Sequence, residues 1–204
     1  MSISMYTMKS GSVEQPNDEW VKKLYDQARQ ETKMVPNLFK VMANAPELLQ
    51  AYLDTYRLFS QHSGFSSAEQ QIIFLVISYE NGCGYCLAAH GTVASMVAKI
   101  PYEVTDAISS DAEIPVPKYQ VLANFIREMI WSRGRPSEDK VKEFLAEGYT
   151  EKQILDIILA ISLKTMSNYT NHVFNTPIDA VFKAQQSRLG KFVTRVYQGF
   201  NRKK

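Results

Sequence analysis

Apolar residues recur at three- and four-residue spacing along most of this chain, the signature of amphipathic helices. From about Glu19 to Lys33, Trp20, Leu24, Tyr25 and Ala28 make one stripe, with Asn17 or Asp18 placed to cap it. Pro36 restarts the chain. Pro46 suits a first helical turn and precedes Leu48, Leu49, Tyr52, Leu53, Tyr56 and Phe59. Ser66 and Glu69 form a capping-box pair ahead of QQIIFLVISYE, and Asn81-Gly82 signals a turn. The pattern predicts a further helix from about Cys83 to Ala98, with Pro101 after its end, then a linker-like stretch over 109–117. Lys118 to Trp131, Ser137 to Ala146, a long apolar segment opened by Thr150 (EKQILDIILAISLKTM) and a segment starting at Pro177 complete the helices. No stretch alternates as a strand does. The expected fold class is all-α, a helical bundle.

A faint internal repeat overlies this pattern. Glu69-Gln70-Gln71-Ile72-Ile73 resembles Glu151-Lys152-Gln153-Ile154-Leu155; with two residues inserted, Ile77-Ser78 meets Ile161-Ser162. Cys83-Gly84-Tyr85-Cys86 then falls on Ser167-Asn168-Tyr169-Thr170, so the second copy is degenerate in its chemistry. Chance similarity of two apolar helices is the other reading.

The expected organisation is a polar N-terminal segment (1–16), a single helical domain (17–187) and a basic C-terminal tail (188–204). The tail carries six basic residues and no acidic one, yet the chain has 23 Lys+Arg against 21 Asp+Glu. That balance argues against a nucleic-acid partner. No apolar run approaches the roughly 18–20 residues of a membrane span. The first residues lack the apolar stretch of a signal peptide. A cytoplasmic location is the expectation, and in a reducing compartment a thiol pair points to redox or metal chemistry rather than a structural disulfide.

Both cysteines lie in one motif, Cys83-Gly84-Tyr85-Cys86, with His90 four residues on. At about 100° per residue, Cys83, Cys86 and His90 fall within a sector of about 60° on one helix face. The preceding turn puts the thiols at a helix N-terminus, where unpaired N–H groups and the helix dipole favour a thiolate. A nearby imidazole can take the thiol proton or hold the thiolate as a cation. Two thiols at this spacing can close a small disulfide ring, one attacking and one resolving. A zinc site would need a fourth ligand from His62 or His172, and no second ligand pair accompanies the first. His172 can line the same pocket from the second half or serve as a hydrogen-bonded core group; His62 reads as an exposed loop residue. No phosphate loop, dinucleotide fingerprint or nucleophile elbow is present, so no cofactor is implied.

SYENGCGYCLAAH, following SSAEQQIIFLVI, resembles the core of the alkylhydroperoxidase D-like, or carboxymuconolactone decarboxylase, family over about residues 35–100. NYTNHVFNTPIDAVF is also similar to members with chains of this length. The CxxC with a following His is the mark of the thiol-active branch. The resemblance implies an all-helical fold, assembly as a homo-oligomer (trimer or hexamer), and antioxidant peroxidase activity on a hydroperoxide. It implies Cys86 as the peroxidatic thiol and Cys83 as the resolving thiol. A dithiol donor such as a lipoyl or thioredoxin-like protein would restore the pair, with no nucleic acid, membrane, metal or cofactor involved. Two positions depart from the family's relay: Gln71 stands where a Glu is usual, and Tyr85 where the best-equipped peroxidases have a His. Gln71, Tyr85 and Glu80 are the candidate relay groups; Glu69 lies about 200° around its helix from Gln71. The weakened relay motivates an alternative, a CxxC disulfide reductase or redox sensor without efficient peroxidase activity. A lactone decarboxylase would need no thiol chemistry.

Overall fold

The computed structural model describes residues 6–186; the basic tail at 188–204 and residues 1–5 lie outside the described part. Among the described residues there are ten helices and no strand. They are α1 (Glu19–Thr32), α2 (Asn37–Met42), α3 (Pro46–His62), α4 (Ser67–Glu80), α5 (Gly84–Met96), α6 (Tyr102–Ser109), α7 (Pro117–Trp131), α8 (Glu138–Ala146), α9 (Glu151–Phe174) and α10 (Ala180–Gln186).

Helix α4 is the axis of the bundle. Its run from Gln71 to Ser78 is buried on every side, and α5, α6, α7 and α9 pack around it. An unbroken apolar sequence without a polar face is what such a position requires. Ser66 caps α4 in the reciprocal box with Glu69, whose carboxylate also accepts hydrogen bonds from the Ser66 N–H and the Tyr149 hydroxyl. Glu69 is thus spent on the helix start. Asp18 caps α1 by accepting from the N–H groups of Trp20 and Val21. A ladder of rings (Phe39, Tyr52, Tyr56, Phe74, Phe59, Phe65 and Tyr149) links α2 to the loop before α9, each centroid within 6.4 Å of the next. Such contacts add to burial by about 0.5–1.5 kcal/mol each.

The structure differs from the pattern at several places. Helix α5 begins at Gly84 with Cys83 as its N-cap, and ends at Met96. Helix α6 is unpredicted: it is eight residues long and buries only Val104, Ala107 and Ile108, too short a stripe to stand out. Helix α9 continues past Met166 to Phe174. The segment from Pro177 is a strap rather than a helix start, with α10 opening only at Ala180. His62 is the exposed last residue of α3, not a loop residue. Both copies of the faint repeat start from a capping box, Ser66 with Glu69 and Thr150 with Gln153. The first is interrupted by the turn at Asn81-Gly82, while Ser167–Thr170 sits inside an unbroken helix.

Candidate active site

Cys83, Cys86 and His90 converge as their spacing requires. Cys83 is the N-cap of α5, Cys86 its third residue, and His90 lies one turn further on the same face. Both thiols are free and buried, 1% and 2% exposed. They are hydrogen-bonded to each other, the Cys83 thiol serving the Cys86 sulfur. That donation is the largest influence holding the Cys86 thiol well below its ordinary range; burial opposes it, and the Lys164 charge, Ser167 and Asn168 add to it. The same bond, reinforced by burial and by the charge on Cys86, pushes the Cys83 thiol up. One sulfur is therefore built to be the thiolate and the other to keep its proton.

The opposite wall is α9. Its buried face runs Ile157, Ala160 and Leu163, and then turns polar at Lys164, Ser167, Asn168 and Asn171. All seven share one face at helical spacing. The Asn171 amide donates to both sulfurs, at 3.4 Å to Cys86 Sγ and 3.8 Å to Cys83 Sγ. Ser167 Oγ lies 3.9 Å from Cys86 Sγ. Asn168 is fixed by accepting from the Asn81 amide at 2.8 Å, which ties it to the turn before the cysteines.

His90 is held at both nitrogens. Nδ1 meets Gln71 Oε1 at 3.0 Å, and Nε2 meets Lys164 Nζ at 2.8 Å. An ammonium only donates, so Nε2 accepts and the proton sits on Nδ1, given to the Gln71 carbonyl. Burial, and then the Lys164 charge, hold the imidazole well below its usual titration range. In this arrangement the free lone pair of His90 is turned to Lys164 and not to the thiols. Lys164 is 1% exposed and lies 5.6 Å from the centre of the Phe74 ring. The sequence pattern placed it on an apolar helix and gave it no role. The signal was a lysine in register with Ile157 and Ala160 on the buried stripe.

The other relay candidates fare differently. Gln71 is in place, as the partner of His90. Tyr85 is near but occupied: its hydroxyl donates to Asp179 Oδ2 and accepts from the Leu38 N–H at 3.2 Å. Asp179 also accepts from the Asn37 N–H, so Tyr85 and Asp179 together cap α2, whose N-cap Pro36 has no side-chain cap. Glu80 is outside the site, paired with Arg127 at 2.9 Å and accepting from the Trp131 indole at 2.9 Å. His172 is half-buried beside Tyr169 and is not a lining residue of the cavity below. Among the described residues no group of three or more His, Cys, Asp and Glu side chains is arranged to hold a metal ion.

A cavity of about 190 Å³ opens onto Cys86 and His90. Phe39, Tyr52, Tyr56, Tyr85 and Phe182 form much of its wall, and Glu31 and Thr32 sit with them. Cys83 is not among the lining residues. Tyr52, on this wall, has its phenol kept protonated by burial and by the nearby sulfurs. Of the rings in this wall, Phe39 and Tyr52 also belong to the buried core, so they serve both core and cavity.

No family model and no curated protein sequence matches the chain. Solved structures do. A peroxidase-related protein from Ralstonia eutropha JMP134, described as an alkylhydroperoxidase AhpD core, superposes with a TM-score of 0.72 at 21% identity, covering 87% of this chain and 97% of that one. A peroxidase-related protein from Silicibacter sp. TM1040 gives 0.71 at 22%, over 88% and 97%. The debrominase Bmp8, as a cysteine-to-alanine variant in complex with 2,3,4-tribromopyrrole, gives 0.71 at 14%, over 87% and 95%. No described helix is long and apolar enough to cross a membrane. At these identities the likeness is one of architecture, and the chain has the alkylhydroperoxidase AhpD fold.

Proposed function

We propose that the protein is a thiol-dependent peroxidase for small apolar organic hydroperoxides. The observation that carries this reading is the asymmetry of the pair: Cys86, the sulfur favoured as thiolate, faces the cavity, and Cys83, the protonated one, stands behind it. The Cys86 thiolate attacks the terminal oxygen of the hydroperoxide, the O–O bond breaks, and an alkoxide leaves. Tyr52 hydrogen-bonds that alkoxide, which takes its proton from solvent through the cavity mouth. Cys83 then condenses with the Cys86 sulfenic acid, releasing water and closing the disulfide. Two thiols are oxidised, one peroxide becomes one alcohol and one water, and an external dithiol restores the pair. Burial of both sulfurs supports a slender dithiol, such as a lipoyl arm, over a bulky protein disulfide partner. That same burial weighs against the disulfide-reductase alternative.

The cavity exceeds the engineered void of about 150 Å³ that accepts benzene, so cumene hydroperoxide suits it. With one equivalent of that peroxide, the peptide holding both thiols should lose two hydrogens and one cumyl alcohol should form. Cys86→Ser should abolish turnover. Cys83→Ser should stop after a single event with Cys86 trapped as sulfenic acid. Native rates in both variants would overturn the mechanism.

A second reading is favoured by the ring-lined wall and by the likeness to a debrominase. An aryl bromide could be reduced by the same two thiols, giving the arene, the disulfide and hydrogen bromide. Bromide release from a bromopyrrole separates the two readings. Self-association is also proposed. Leu155, Ile158, Tyr169 and Val173 are exposed on one face of α9, opposite its buried stripe.

A further inference from the structure

Among the described residues no carboxylate pairs with the buried ammonium of Lys164. Its contacts are His90 Nε2, neutral and accepting, and the face of Phe74. A buried charge is costly unless an opposite charge answers it. Ser167, one turn along α9 from Lys164, stands 3.9 Å from Cys86 Sγ, so the lysine and that thiol share one buried wall, and Cys86 is the group there that can carry a negative charge; the Lys164 charge favours it as thiolate. Lysine and cysteine come from different helices, α9 and α5, and α4 supplies Gln71 to complete the set.

We propose that Lys164 is the positioning residue of this site: its ammonium is the permanent counter-charge of the Cys86 thiolate and locks His90 in one neutral tautomer. The site then needs no base and no proton relay through His90. This explains how Gln71 can stand where a carboxylate would serve a relay. A carboxylate there would draw the imidazole toward its cationic form and compete with the thiolate for Lys164. The inference rests on the thiol reading of the site, but it concerns the resting enzyme and requires no peroxide. The other titratable groups around Cys86 are Cys83 and Tyr85 on α5 and Tyr52 on α3, with His90 lining the same cavity and Asp179 reached through Tyr85. Tyr52 and Tyr85 stay protonated, so neither adds a competing negative charge.

The test is the pH titration of the ultraviolet thiolate absorbance in the reduced protein, with alkylation rates alongside. The native protein should show one sulfur ionised well below the free-thiol midpoint of about 8.5. Lys164→Met should move that midpoint up by at least about one pH unit, a roughly tenfold change in the ionisation constant; Lys164→Arg should restore most of it. An unchanged midpoint in folded Lys164→Met would overturn the proposal. Should that variant not fold, nitrogen NMR of native His90 decides. A proton on Nδ1 and no titration between about pH 5 and 8 supports it, whereas a proton on Nε2 or a midpoint near 6.5 overturns it. A low-titrating thiol without peroxide turnover would instead refute the peroxidase reading and leave Lys164 its role.

Discussion

Helices α4 and α5 and the single long helix α9 begin alike and diverge in the middle. Each opens with a capping box over an apolar run. The first then breaks at Asn81-Gly82, and that break puts Cys83 and Cys86 at a fresh helix N-terminus. The second does not break. Its buried face carries Lys164, Ser167, Asn168 and Asn171 to the same place on a continuous rod. One region supplies the reacting atoms where the backbone itself favours an anion; the other supplies rigid donors and a charge. The division is physically sensible, because preorganised donors act best from an element that does not reorganise during the reaction.

The sharpest way to break this division is at Asn171. Its amide nitrogen donates to both sulfurs, while its own Oδ1 has no hydrogen-bond partner among the described residues. Leucine has nearly the same shape. Asn171→Leu removes the donor and an unsatisfied buried acceptor together, so the loss of the bond to the sulfurs is partly offset and stability should fall only modestly. A hydrogen bond to a charged group contributes about 1.5–3 kcal/mol, so the second-order rate with cumene hydroperoxide should fall about ten- to a hundredfold. Unchanged rates in the folded variant would mean that α9 is merely a wall.

The next effect belongs to α5 and reads out as stability against pH. His90 is buried and neutral, with its titration pushed below the usual range by burial and by Lys164. Below about pH 6.5 the unfolded chain takes up a proton that the folded chain refuses. Stability should therefore fall as pH falls through this window, by up to about 1.4 kcal/mol per pH unit, until the folded-state midpoint is reached. Cys86 acts in the same direction from about pH 8.5 downward, because its folded form stays ionised. Urea titrations at stepped pH should show both windows. Cys86→Ser should remove the upper one, and His90→Gln the lower.

How much of this was legible in the sequence depends on residue type more than on importance. Cys83, Cys86 and His90 are rare reactive residues at a spacing that any helix brings together, so the pattern locates them without tertiary knowledge. Lys164 is as close to the chemistry, yet lysines on helices are ordinarily solvated, and an apolar helix with one lysine gives no alarm. Only its register with Ile157 and Ala160, on the face opposite Leu155 and Ile158, marks it. The occupation of Tyr85 by Asp179 spans 94 positions and belongs to the tertiary fold. The helix class was legible almost throughout. The strap at Pro177–Asp179 was not, because the Asp179 carboxylate bonds to Asn37 and Tyr85 in other elements, leaving only its backbone carbonyl to start α10.

The smallest effect tests the break itself. Gly82 holds φ at +66°, and a Cβ added there meets no atom within 4 Å, so Gly82→Ala should cost only the left-handed backbone strain, about 1 kcal/mol. For a chain of this size that is about 2–4 °C in Tm. Helix α9 ends on its own left-handed residue, Asn175 at φ 47°, but Asn already tolerates that region. Asn175→Gly should therefore shift stability by less than about 0.5 kcal/mol. The contrast carries the point: the turn after α4 aims the thiols, whereas the end of α9 lies a full turn beyond Asn171 and aims nothing. If Gly82→Ala keeps its fold, its thiolate midpoint should move along with its Tm, and Asn175→Gly should move neither by a measurable amount. Equal responses from the two would mean that the turn only joins α4 to α5 and does not set the position of the sulfurs.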